Sequence, residues 1–182
     1  GGPQMILAWF ASNYIGAIFV PLNTAYRGRI LEHAINNARA PLLIAHGSLI
    51  ERLHGLQLTH LKQVLAVGGQ AAPDSRFEMH DESALDCDPA SLADDPAIEL
   101  WDSQTIIYTS GTTGPSKGVL SPYLQLYTTA VVNYGYMRDG ECILVNLPLF
   151  HVGGTSSVYC ALVRAGSFLL VDGFSTQNFW AQ

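Results

Sequence analysis

Apolar residues recur along the chain in short runs that alternate with segments of helical spacing. The helical repeat is clearest at residues 29–37, where apolar side chains fall on one face. Runs of strand length, rich in Leu, Ile and Val, follow at residues 42–45 and 63–67. Because strands that alternate with helices are typical of βαβ units, the pattern predicts an α/β fold with mostly parallel sheets flanked by helices.

The same pattern assigns the other elements. Further helices are predicted at residues 4–14, 48–53 (capped by Ser48), 123–136 (with Pro122 in its first turn) and 154–164, and from a cap at Ser175. Further strands are predicted at residues 17–21, 142–146 and 167–171. A strand–loop–strand hairpin is predicted at residues 106–120.

A run of glycine and hydroxyl residues separates the two strands of this predicted hairpin. Gly111 and Gly114 allow close approach of the backbone to a ligand, and consecutive N–H groups can form an anion-binding concavity. The hydroxyl donors of the run are Thr109, Ser110, Thr112 and Thr113. Lys117, one of only two lysines in the chain, adds a positive charge at its end. The run therefore predicts a site for a polyphosphate.

Two other motifs share part of this pattern. A Walker P-loop requires lysine directly after glycine and a hydroxyl residue directly after the lysine, whereas Lys117 lies between Ser116 and Gly118. The serine-hydrolase elbow, Gly-x-Ser-x-Gly, formally fits residues 114–118. An elbow, however, is a turn from a strand into a helix, and here a strand is predicted after Gly118. The spacing excludes the first motif, and the context argues against the second.

Residues 108–114, Tyr-Thr-Ser-Gly-Thr-Thr-Gly, and the following Pro-Ser-Lys-Gly-Val resemble the phosphate-binding motif of the adenylate-forming (AMP-binding) superfamily. Pro115 and Ser116 stand in the reverse of the usual order. Residues 147–154, Leu-Pro-Leu-Phe-His-Val-Gly-Gly, are similar to the family's next motif and favour its acyl-CoA synthetase (CoA ligase) branch. Residues 21–28 resemble the carnitine/crotonobetaine type of CoA ligase.

The resemblance implies an acid–thiol ligase of acyl or fatty acid metabolism. In this family a small-molecule carboxylate reacts with ATP to give acyl-adenylate and pyrophosphate, and the acyl group then passes to coenzyme A. ATP, Mg²⁺ and coenzyme A are thus the expected cofactors. The residues expected to bind the ATP phosphates are Thr109, Ser110, Gly111, Thr112, Thr113, Gly114 and Lys117. His151 is the candidate for the acyl or adenylate pocket, and no metal ligand is expected in this stretch. A peptide-synthetase-type adenylation domain and a non-catalytic family member remain alternatives.

The resemblance also predicts how the chain is organised. It implies part of the large N-terminal domain of the adenylate-forming fold, with residues 1–71 and 97–182 as α/β segments and residues 72–96 as a connecting loop. The family's later ribose-binding motif and its C-terminal domain with the catalytic lysine have no counterpart here. We therefore expect a fragment that is inactive by itself.

Charge, cysteine content and hydropathy limit the classes of function that this chain can have. The net charge is −6, and eight of the fifteen acidic residues lie in residues 72–96, which favours a solvated loop there. The chain has no basic patch to favour nucleic acid. Three cysteines without a CxxC pair predict reduced thiols and a cytoplasmic location rather than a zinc site. Residues 5–20 are apolar but short for a membrane span, so no integral membrane segment is expected.

Overall fold

The structure is a computed structural model that describes residues 2–70, 72–86, 88, 97–109, 115–171, 175–177 and 179–181. The α-helices are α1 (Pro3–Tyr14), α2 (Gly28–Ala38), α3 (Tyr123–Thr128) and α4 (Val152–Val163). The strands are β1 (Leu42–His46), β2 (Gln63–Val67), β3 (Glu78–His80), β4 (Ser103–Thr109), β5 (Lys117–Pro122), β6 (Cys142–Val145) and β7 (Ser167–Leu170). The 3-10 helices are Gly47–Leu53, Glu82–Leu85 and Phe179–Ala181, and a π-helix spans Thr129–Asn133.

The chain divides into two compact units. The first unit comprises Gly1–Pro21, Ala97–Ile107 and Val119–Gln182, and the second comprises Leu22–Pro96 and Tyr108–Gly118. Strands β4 and β5 pair with each other, and each begins in one unit and ends in the other. The two ends of the glycine-rich run therefore belong to the second unit.

The second unit is built on the parallel sheet β1-β2-β3. Leu42 pairs with Gln63, and Gln63 in turn pairs with Glu78. Helix α2 contributes its apolar face to the core of this unit. The buried core side chains are Leu31, Ile35, Ile50, Leu53, Leu56, Leu61, Val64, Ala66 and Phe77. Burying each large apolar side chain stabilises the fold by about 1.5–3 kcal/mol. The cluster therefore holds α2 in place against the rest of the second unit.

The first unit has a separate core around the parallel pair β6-β7, in which Cys142 is opposite Ser167. Helices α1, α3 and α4 pack there around Trp9, whose ring stacks on Phe10 and Phe19. Parallel strands in both units confirm the predicted α/β class. No helix among the described residues is both long and apolar enough to cross a membrane.

The strand predicted at residues 17–21 is reduced to a single bridge, between Phe19 and Thr105 of β4. Phe19 donates its N–H to Gln104 and accepts from Ile106. Two residues later Pro21 has no N–H to continue the ladder. On the other side, the N–H of Ala17 is occupied by the carbonyl of Ser12 at the end of α1. The prediction of a full strand was therefore wrong.

Two helix predictions need correction as well. The predicted helix 123–136 is α-helical only to Thr128 and then becomes the π-helix. The β-branched residues Thr128, Thr129, Val131 and Val132 coincide with this change, and such residues form α-helix less readily. At residues 48–53 the structure has a 3-10 helix that begins at Gly47, and the side chain of His46, not of Ser48, caps it.

The described part of the acidic segment, residues 72–86 and 88, contains two short elements. Glu78–His80 forms β3, and Glu82–Leu85 forms a 3-10 helix capped by Asp81. Asp74 is buried and pairs with Arg76. The apolar pattern does not mark β3, which exists as a strand because it pairs with β2.

Candidate functional site

The ends of the glycine-rich run are held next to each other by β4 and β5. Thr109 is the last residue of β4, and Lys117 is the first residue of β5. The hydroxyl of Thr109 donates to the carbonyl of Lys117 over 3.4 Å. Both residues are exposed. The structure thus brings these two predicted phosphate-binding residues together, while Ser110, Gly111, Thr112, Thr113 and Gly114 lie outside the described residues.

The ammonium of Lys117 has no hydrogen bond or ion pair with any residue that the structure describes. No carboxylate among the described residues therefore neutralises its charge. A lysine fixed through its backbone with a free side chain can offer its charge to an anionic ligand.

Tyr108 precedes Thr109 and turns inward. Its ring is buried, and its hydroxyl donates to Oδ1 of Asn37 over 2.7 Å. Burial, followed by the nearby Tyr26, raises the pKa of Tyr108 above its ordinary value. The hydroxyl therefore keeps its proton and acts as a hydrogen-bond donor.

On the other side of the run, Nε2 of His33 lies 2.9 Å from the carbonyl oxygen of Ser116. A carbonyl oxygen can only accept, so Nε2 carries the proton and donates. His33 and Asn37 both belong to α2. Sequence reasoning missed them, although their i, i+4 spacing on a predicted helix was a signal that they share one face.

Ser116 is followed directly by β5. A serine-hydrolase elbow requires a helix after the nucleophile. The structure therefore contradicts the elbow alternative.

His151 lies in the first unit, at the start of α4, and is exposed. Its Nδ1 accepts a hydrogen bond from the N–H of Gly153 over 3.1 Å and so caps the helix. Because Nδ1 is the acceptor, the neutral ring carries its proton on Nε2. Its carbonyl accepts from the N–H groups of Gly154 and Thr155. The side chain thus has a structural role, and Nε2 is a donor without a partner among the described residues.

The space beside the two glycines that follow His151 is occupied by the preceding turn of the chain. A Cβ at Gly154 would lie 2.3 Å from the carbonyl oxygen of Pro148 and 2.6 Å from that of Leu147. A Cβ at Gly153 would lie 2.5 Å from Cδ1 of Leu147. These two glycines therefore make room for the preceding turn.

An open cavity of about 430 Å³ adjoins the start of α4. The π-helix contributes Thr129 and Asn133, α4 contributes Val152, Gly153 and Ser156, and Tyr134 and Tyr136 complete the lining. A π-helix in such a position is notable because π-helical turns are frequent at functional sites. The cavity is thus lined by aromatic rings, hydroxyls and an amide.

Comparisons with known proteins agree with this architecture. The family model described as "AMP-binding enzyme" matches residues 1–182. A crotonobetaine/carnitine–CoA ligase from Citrobacter koseri is 27% identical over 186 residues, which cover 99% of this chain and 36% of the relative.

Two solved structures show the same fold. The anthranilate CoA ligase AuaEII, in complex with anthranoyl-AMP, superposes with a TM-score of 0.81 at 20% identity and covers 97% of this chain and 34% of its own. ATP-bound MatB from Rhodopseudomonas palustris gives a TM-score of 0.76 at 20% identity. The match covers 100% of this chain and 35% of the MatB chain.

The fold is that of the adenylate-forming enzymes. The chain belongs to the AMP-binding enzyme family, whose model covers all of it. It spans about a third of the length of the CoA ligases that it matches.

Proposed function

We propose that this chain carries the ATP-phosphate site of an AMP-forming acyl-CoA synthetase. The observation that carries the proposal is the placement of Thr109 and Lys117 beside each other at the ends of the glycine-rich run, with the Lys117 ammonium free of described partners. In the proposed reaction a carboxylate attacks the α-phosphate of ATP, pyrophosphate leaves, and the thiol of coenzyme A then displaces AMP.

The residues have separate roles in this proposal. Thr109, Lys117 and residues 110–114 bind the β- and γ-phosphates and so stabilise the charge that develops on the leaving pyrophosphate. Mg²⁺ would accompany ATP and neutralise phosphate charge. The described residues contain no group of three or more His, Cys, Asp or Glu side chains placed to hold a metal ion.

His151 is proposed to contact the acyl or adenylate moiety through Nε2–H. Two observations support this role. The cap at Gly153 fixes the tautomer that leaves Nε2 as a donor, and the open cavity begins at the next two residues, Val152 and Gly153. A donor at that point suits a carbonyl or phosphoryl oxygen.

For the acid itself we propose a small polar carboxylate of the carnitine or crotonobetaine type. The resemblance of residues 21–28 to that group of ligases and the 27% identity to a crotonobetaine/carnitine–CoA ligase support this choice. The tyrosine, threonine, serine and asparagine lining of the cavity is compatible with it. A cavity that binds a long alkyl chain would be expected to have a more apolar lining.

The test is acid-dependent exchange between pyrophosphate and ATP in the full-length protein that contains this chain. Crotonobetaine and carnitine are compared with medium-chain, long-chain and aromatic acids, and acyl-CoA is measured when coenzyme A is added. We expect exchange that requires an acid and is fastest with the small polar acids. Exchange with none of the acids would contradict the proposed reaction, and preference for a long-chain acid would contradict only the proposed substrate.

A further inference from the structure

One face of α2 contacts both sides of the glycine-rich run. His33 donates to the Ser116 carbonyl over 2.9 Å, and Asn37 accepts from the Tyr108 hydroxyl over 2.7 Å. Residues four apart on a helix lie on the same face. We call His33, Asn37 and these two hydrogen bonds the α2 tether. It joins parts of the chain that are 83 and 71 residues apart in sequence.

The tether acts on the backbone of the two described phosphate-site residues. The Ser116 carbonyl and the Lys117 N–H belong to one planar peptide unit, so the bond from His33 orients the peptide that enters Lys117. The carbonyl that leaves Lys117 accepts from the Thr109 hydroxyl. Lys117 is thus held at both of its peptide units. Thr109 directly follows Tyr108, whose hydroxyl is bound by Asn37.

The helix that supplies the tether is itself well anchored. Leu31, Ala34 and Ile35 of α2 are buried, and Ala34 and Ile35 are no more than 2% exposed. Holding a binding group in place before the ligand arrives removes part of the entropy cost of binding and reaction. A rigid helix is suited to that task.

We propose that His33 and Asn37 are positioning residues for the ATP phosphates, acting through the backbone of Thr109 and Lys117. This inference rests on the proposed function. In this role His33 and Asn37 require no contact of their own with ATP. They determine where the Lys117 ammonium and the Thr109 hydroxyl lie when the phosphates bind.

The neighbouring Asn36 provides a matched control on the same helix. Its side chain donates to the carbonyl of Gln57 over 2.6 Å and accepts from the N–H of Thr59 over 2.9 Å. It therefore ties α2 to a different segment by bonds of the same kind. Loss of Asn36 should affect stability much as loss of Asn37 does, without disturbing Lys117.

The experiment compares six single variants of the full-length protein: His33→Phe, His33→Gln, Asn37→Ala, Asn36→Ala, Tyr108→Phe and Lys117→Ala. Two half-reactions are measured, namely ATP–pyrophosphate exchange at saturating acid and thioester formation from preformed acyl-adenylate. Phe fills the space of His33 without a donor, whereas the Gln amide nitrogen can replace Nε2. Melting temperatures are recorded for all variants.

We expect His33→Phe and Asn37→Ala each to lower kcat/KM for ATP in the exchange reaction by about 2- to 10-fold, the range of one neutral hydrogen bond. Thioester formation should change less than twofold, because the β- and γ-phosphates have already left. His33→Gln should restore exchange, and Asn36→Ala should leave it unchanged. Tyr108→Phe and Asn37→Ala remove the same hydrogen bond. The double variant should therefore lower kcat/KM for ATP no more than either single variant does.

The outcomes separate this inference from the proposed function. If Lys117→Ala impairs exchange but His33→Phe and Asn37→Ala do not, the tether has no positioning role and the phosphate site stands. If Lys117→Ala also has no effect, the proposed function fails, and the inference fails with it. Equal losses of rate in both half-reactions, or an equal loss of exchange in Asn36→Ala, would mean that the tether only stabilises the fold.

Discussion

The two stretches that carry the motif residues differ in how their key side chains are used. At the ends of the glycine-rich run, the Lys117 side chain has no described partner, and His33 of α2 donates to the carbonyl of the preceding peptide. At the start of α4, His151 caps its own helix, and Gly154 accommodates the preceding turn. Loss of the Lys117 side chain should therefore affect function alone, whereas loss of His151 should affect both stability and function.

The largest effect is expected for Lys117→Ala in the full-length protein. Loss of one charge-assisted contact to phosphate should cost about 1.5–3 kcal/mol, which is about one to two decades in the rate of ATP–pyrophosphate exchange. Thioester formation from preformed acyl-adenylate should be affected less. Lys62→Ala is the control, because Lys62 is the only other lysine and is also exposed. Similar losses in the two variants would contradict a specific role for Lys117.

The next effect concerns the fold at the start of α4. Gly154→Ala should lower the free energy of unfolding by about 1–3 kcal/mol, because the new methyl group would meet two backbone carbonyls that cannot move independently. Gly153→Ala should cost less, since its methyl group meets the end of the Leu147 side chain, which can rotate away. Urea unfolding of both variants is the measurement. Equal destabilisation would show that the turn does not depend on close backbone contact at Gly154.

The third effect concerns the ion pair between Asp74 and Arg76 in the second unit and the way its contribution to stability depends on pH. The hydrogen bonds from Arg76 lower the pKa of Asp74 from 3.8 to about 2. Arg76 also donates to the carbonyls of Leu56 and Leu53. Because the folded-state pKa is the lower one, the stabilisation is present above pH 3.8 and is lost as the pH falls through about 2.

Since the Arg76 side chain is 39% exposed, solvent screening should limit this contribution to about 1–2 kcal/mol. Asp74→Asn should therefore be less stable than the unchanged protein by that amount at pH 6. The difference between the two should shrink as the pH approaches 2. A difference that stays constant from pH 6 to pH 2 would mean that the charge of Asp74 does not stabilise the fold.

The smallest effect separates the two roles of His151. His151→Ala removes the helix cap and should cost about 1 kcal/mol of stability. His151→Asn keeps a capping oxygen near the N–H of Gly153 but has no donor in the place of Nε2. We expect the Asn variant to retain its melting temperature while its relative rates with different acids change. Unaltered ranking of the acids in both variants would leave His151 with the capping role alone.

Local sequence patterns sufficed for much of the fold. Helix α2, strands β1, β2, β6 and β7 and the β4–β5 pair lie within one to three residues of their predicted positions, because their apolar spacing and flanking turn residues act over short distances. The strand predicted at residues 17–21 and the unpredicted strand β3 show the limit of such patterns. A strand exists only where a partner supplies hydrogen bonds, and Pro21 removes a donor that the ladder needs.

The sequence alone determined the family of this protein and the order of residues from Thr109 to Lys117, because motif composition and spacing are local properties of the chain. Only the tertiary structure decided that His33 and Asn37 hold the two sides of that run, that His151 caps α4 through Nδ1, and that Gly154 receives the preceding turn. The first of these depends on contacts between residues 71 and 83 positions apart. Such contacts form when the core beneath α2 fixes the helix, and no local pattern encodes them.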